Sequence, residues 1–109
     1  PAQRIGIENV TKATAAALEC AARNGLKSIV FPGMGTGVGG VDPGEAAGAM
    51  VEVIRNFSDS NSTIEEVVLI GYEEEMYKAF VGAVKNITGI IPVGGDAVTS
   101  KKKAQRGEL

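Results

Sequence analysis

The sequence has 109 residues, 44% hydrophobic and 22% charged, with a net charge of −2, one cysteine and no histidine. That is room for one small domain of ordinary globular composition, with no bulk charge to draw it to nucleic acid or an anionic membrane. Without histidine a Ser-His or Cys-His hydrolase is excluded, and no metal site or cofactor is expected.

No apolar run approaches the ~20 residues that span a bilayer, and no secretory signal pattern opens the chain. The chain begins at Pro1 rather than methionine, which implies processing, trimming or excision from something longer. Cys20 cannot form an internal disulfide and fits a reducing cytoplasm. In its alanine-rich stretch it reads as a small buried thiol rather than a nucleophile.

In chain order, Pro1 to Glu8 is ambiguous: Ile5 and Ile7 alternate with Gly6, and Arg4 to Glu8 is a candidate edge strand. Asn9 is placed to cap a helix from about Val10 to Asn24, with Val10, Ala13, Ala17 and Ala21 as a small-residue face. Gly25 is the expected left-handed residue that ends it, with Leu26 making the hydrophobic contact just beyond. Ser28 to Phe31 has the β-branched and aromatic composition of a buried strand.

Next comes the stretch that organises the chain, Pro32-Gly-Met-Gly-Thr-Gly-Val-Gly-Gly40. Asp42, Pro43 and Glu45 then spell a helix start: an N-cap, a proline at the first helical position, and a carboxylate placed for a capping box. Strand, glycine loop, helix is the order that seats a phosphate, because bare backbone N–H groups approach the anion beside a positive helix end. The alternative is a plain flexible crossover, but an ordinary turn needs one or two glycines rather than this many.

The helix from about Pro43 to Phe57 carries Ala46, Ala47, Met50, Val51, Ile54 and Phe57 on one stripe, which reads as core. After a polar loop around Ser58 to Thr63, Val67 to Tyr72 is a second strand, apolar enough to be covered on both faces. A third helix spans about Glu73 to Ile87, with Met76, Phe80, Ala83, Val84 and Ile87 inward. Its first turn holds Glu73, Glu74 and Glu75, a charged helix start more simply than a metal site. Glu74 and Lys78 are spaced to pair. Ile90 to Val93 is a candidate short strand, and residues 94–109 form a polar, basic tail expected to be disordered.

The pattern is α/β: parallel central strands flanked by helices, part of a three-layer arrangement. Ligands in such sheets bind beyond the carboxyl ends of the strands, which is where the glycine loop and Tyr72 fall. A P-loop fails, since no lysine follows the glycines. Gly35, Gly37 and Gly40 match the G-x-G-x-x-G dinucleotide pattern. However, the acidic residue that pattern wants about 20 positions on, at the next strand end, is absent: that end comes later and is the aromatic Tyr72.

From about Thr11 to Ile87 the sequence resembles the C-terminal half of a macro domain, the ADP-ribose-binding module. The pieces are KATAAALECAARNGL, SIVFP, GMGTGVGG, DPGEAAGAM and VVLIGY, and the GTGVGG loop is most similar to the bacterial and phage branch associated with ADP-ribose-1″-phosphate phosphatases. The resemblance implies that Gly35, Thr36, Gly37, Val38, Gly39 and Gly40 wrap the diphosphate and distal ribose, and that Tyr72 packs beside adenine or its ribose. In that family an N-terminal half supplies an adenine-recognising aspartate and most proposed catalytic groups; residues 1–93 match only the remainder, so no catalytic residue is assigned. The expected partner is ADP-ribose or a derivative, with any catalysis a hydrolysis at the distal ribose. The rival is a non-catalytic scaffold or assembly module. So short a sheet also predicts self-association, or complementation by a separate N-terminal fragment.

Overall fold

The computed structural model describes residues 2–33, 40–58 and 62–94, and the side chains of all of these except 2–5 and 58. The order is α1 (Ala2–Arg23), β1 (Ser28–Pro32), α2 (Pro43–Ser58), β2 (Glu66–Gly71), α3 (Glu74–Ala83) and β3 (Ile90–Gly94). The strands form one parallel sheet ordered β1-β2-β3. The α/β class and the parallel pairing are those expected, and Ile90 to Val93 does become a strand.

Both crossovers step the same way across the sheet, so right-handed connections put α2 and α3 on one face. Burial agrees. Ile29, Val67 and Ile90 stand in one register row, and Phe31, Leu69 and Pro92 in the next. Phe31, Val67, Leu69 and Ile90 are buried in a single core with Val10 and Leu18 of α1, Ala46, Met50 and Ile54 of α2, and Met76 and Phe80 of α3. The intervening positions face the other way, where Val30 is 55% and Ile91 42% exposed. Among the described residues, the cover expected on both faces of these strands is present on one. Among the described residues the molecule has two layers, a sheet and the helices on one side of it.

The N-terminal segment is helical, not an edge strand, and Asn9 lies inside α1 rather than capping it. Ile7, Val10, Thr14, Leu18 and Ala21 keep a spacing of three or four residues, so a helix starting earlier buries a longer stripe. That stripe differs from the expected one. Thr14 and Leu18 are inward and Ala13 is exposed. Thr14 is accommodated because its hydroxyl donates to the Val10 carbonyl at 2.7 Å. Cys20 lies on the outer face and is exposed, contrary to the buried thiol expected. The end of α1 is as read: Gly25 has φ +68° and its amide donates to Ala22, while the Leu26 amide reaches back to Ala21 at 3.0 Å. Leu26 itself, however, stays 49% exposed.

Helix α2 runs where expected, with Ala46, Ala47, Met50, Val51 and Ile54 buried and Phe57 partly so. Helix α3 stops at Ala83, short of Ile87, in a turn where Asn86 has φ 67°. Val84 is still buried. Glu74 and Lys78 pair at 3.1 Å in the open, worth a few tenths of a kcal/mol. The tail beyond Gly94 lies outside the described residues. No described helix is long and apolar enough to cross a membrane.

Candidate functional site

The carboxyl ends of the strands bring together Gly33, Tyr72 and Gly94, with the first turn of α3 beside them. The described residues that flank the glycine segment are fixed on both sides. At the start, the Gly33 amide donates to the Ile70 carbonyl at 3.0 Å, extending the β1–β2 ladder one residue past Pro32. Gly33 also lies against Met76: a Cβ there would sit 2.6 Å from Met76 Cγ. At the far end Gly40 is exposed, whereas Val41 is buried against Gly6 of α1. Asp42 then caps α2, its Oδ2 accepting from the Glu45 amide at 3.2 Å and its carbonyl from the Ala46 amide at 2.9 Å. That capping role accounts for Asp42 without a catalytic one.

Of the expected ligand residues, Gly35, Thr36, Gly37, Val38 and Gly39 lie outside the described residues. Gly40 and Tyr72 are within them. Tyr72 follows the last residue of β2 and is 67% exposed, its ring open to solvent. A shallow cavity of about 180 Å³ joins Gly33, Tyr72, Glu73 and Met76. Glu73 adds a carboxylate on this side of the edge, which suits neutral donors such as ribose hydroxyls better than a phosphate. Larger open grooves lie at the other end of the helices: one of about 620 Å³ is lined by Arg55, Asn56, Lys85, Asn86 and Thr88. Those residues sit at helix ends and turns, the ordinary place for cations and amides, and at the edge where parallel sheets do not bind ligands.

Two further residues shape the site, Met76, which the sequence places only in the core, and Gly71, which it places only in a strand. Met76 floors the start of the loop through Gly33. Gly71 lets α3 approach the strand end, since any Cβ there would collide with the backbone of Tyr77 and Met76. The available signal was a glycine closing an otherwise apolar strand, which marks a close backbone approach.

Residues 1–50 match the family described as Macro domain. An uncharacterized protein of Aquifex aeolicus is 49% identical over 80 residues, 73% of this chain and 47% of that protein. One of Aeropyrum pernix is 33% identical over 95 residues, 83% of this chain and 47% of its own length. The O-acetyl-ADP-ribose deacetylase 2 of Pantoea vagans is 33% identical over 58 residues, 53% of this chain and 34% of that enzyme. The chain thus spans about half the length, or less, of the curated relatives it matches. The stretch 1–50, from α1 through β1 and the glycine-rich segment into α2, thus matches the macro domain family, the family that the sequence resembles.

Proposed function

We propose that this chain contributes the diphosphate-binding loop of an ADP-ribose site, in a protein that binds or hydrolyses an ADP-ribose derivative. One observation carries the reading: the residues flanking the glycine segment are held by a parallel strand end on one side and a capped helix start on the other, with an exposed tyrosine on the strand-end side. The loop's amides donate to the diphosphate, the N-terminus of α2 adds positive potential, and the Tyr72 ring covers the adenosine end. The relation to an O-acetyl-ADP-ribose deacetylase favours an ester at the distal ribose as the substrate. We assign no residue of this chain the role of base or of adenine-recognising carboxylate.

The test is calorimetry on a chimera in which this chain replaces the matched stretch of the Aquifex aeolicus relative. ADP-ribose binds more tightly than AMP, because the loop's donors face a diphosphate, and Gly37→Val removes that difference. Equal binding of the two nucleotides, or none of either, overturns the reading. The assembly-module alternative is favoured by one feature, the open apolar sheet face. It would be preferred if the chimera folded and bound neither nucleotide.

A further inference from the structure

Helix α1 runs out into Asn24 and Gly25, the one Asn-Gly pair in the chain. An asparagine followed by glycine is chemically labile, because a glycine nitrogen with no side chain beside it reaches the preceding carboxamide without hindrance. In the structure both reacting groups are engaged elsewhere. The Gly25 amide donates to the Ala22 carbonyl at 3.0 Å, with Gly25 at φ +68°. The Asn24 carboxamide folds back along the helix, its Nδ2 donating to the Cys20 carbonyl at 2.7 Å and lying 3.8 Å from Cys20 Sγ. Asn24 and Gly25 are both exposed, so water has access to the pair. We propose that Asn24 is a gated deamidation site: the closed cap suppresses the reaction, local opening of the α1 terminus releases it, and the product keeps the cap from re-forming.

The step balances with water alone. In the opened chain the Gly25 nitrogen forms a bond to Asn24 Cγ, and its proton passes through water to Nδ2. The Cγ–Nδ2 bond breaks, and ammonia departs to leave a cyclic succinimide. Water then opens either carbonyl of the ring, giving an aspartate at this position or a β-linked isoaspartate. Neither product restores the cap. Aspartate has no N–H to give the Cys20 carbonyl, and it sets a negative charge beside the carbonyl end of α1, where the helix dipole opposes it. Isoaspartate lengthens the main chain by one atom just before the Gly25 and Leu26 amides, whose bonds to Ala22 and Ala21 close the helix. The turn also supports more than α1. The Leu26 carbonyl accepts from Thr63 Oγ1 at 2.7 Å, and the Lys27 carbonyl accepts from the Glu65 and Glu66 amides. It therefore anchors the approach to β2 as well as the start of β1. Exposed helix ends open at the low end of the free-energy range within a fold, which places the gate where opening is frequent. This inference is independent of any ligand.

The test incubates the full chain at mildly alkaline pH, native and in concentrated urea, and reads asparagine, aspartate and isoaspartate at Asn24 by peptide mass mapping. The native chain reacts at Asn24 about tenfold or more slowly than the unfolded chain, because an opening must precede each event, and sub-denaturing urea raises the native rate. Equal rates in the two states overturn the proposal, and so does an unfolded chain that does not react at Asn24. The consequence for the cap is read separately. Asn24→Asp lowers the melting temperature by about 5 °C, through the lost bond to Cys20 and the charge at the helix end. An Asn24→Asp chain that melts with its parent overturns the proposal, since the cap would then close over the product. Should that variant fail to fold, hydrogen exchange of the aged parent gives the same answer. Lost protection of the Gly25 and Leu26 amides in the modified fraction supports the proposal, and unchanged protection overturns it.

Discussion

At the scale of single residues, the strand ends are set by where a side chain is missing. Gly71 and Gly33 both face α3, but their neighbours differ in kind. A methyl at Gly71 meets the Tyr77 backbone, whereas at Gly33 it meets the flexible side chain of Met76. Gly71→Ala should therefore cost about 3 kcal/mol or more, and Gly33→Ala about 1 kcal/mol as Met76 swings aside. Urea denaturation of the two variants reads the difference, and equal losses would mean that α3 itself moves. Tyr72 is the opposite case, a large side chain with little structural duty. With 67% of it exposed, Tyr72→Ala should leave stability within about 0.5 kcal/mol while weakening ADP-ribose about tenfold or more through lost stacking. A variant whose binding is unchanged would remove Tyr72 from the site.

At the scale of elements, α2 shows how a start signal fixes a functional edge. Asp42 accepts the Glu45 amide and thereby fixes where the helix begins and where the loop must end. Asp42→Ala should cost about 1 kcal/mol, and Asp42→Asn, which keeps the cap, only a few tenths. If Asp42→Asn abolished ester hydrolysis while preserving stability, Asp42 would be chemical and not merely a cap. This element was legible because cap, proline and stripe all agreed over a long periodic run. Helix α1 is legible only from about Val10 onward. Ile5, Gly6 and Ile7 satisfy a strand's alternation as well as a helix's face, and Gly6 tells against a helix until its contact with Val41 is seen. Thr14 was passed over as an inward residue because the hydroxyl's bond to its own helix cannot be read from a pattern of apolar residues. Cys20 was misplaced for a related reason: alanines on both sides make every face of that stretch look equally apolar. The place of the glycine segment and of Tyr72 at the carboxyl edge is legible from order, strand then glycines then capped helix, whereas the ligand roles of these residues are implied only by the family resemblance. The Gly33–Met76 and Gly71–Tyr77 contacts bridge separate elements and leave only a faint trace in the sequence.

At the scale of the whole molecule, the strands fit their sequence better than their surroundings do. The apolar runs of β1 and β2 anticipate cover on two faces, yet the described helices cover one. Both flanking strands, β1 and β3, also end the described sheet, so their outer N–H and C=O groups have no neighbouring strand within it. An open aliphatic face and two short parallel edges act together, since each can recruit another chain without help from the other. The isolated 109-residue chain should therefore self-associate, with an apparent mass by light scattering that climbs with concentration and an unfolding transition that broadens. Replacing Val30 and Ile91 by lysine should lower that mass by removing the face, but not return it to the monomer, because the edges remain. A parent chain that ran as a sharp monomer and unfolded cooperatively would mean that residues outside the described set close both the face and the edges. The sheet would then be complete within this sequence, and the need for a second half would fall with it.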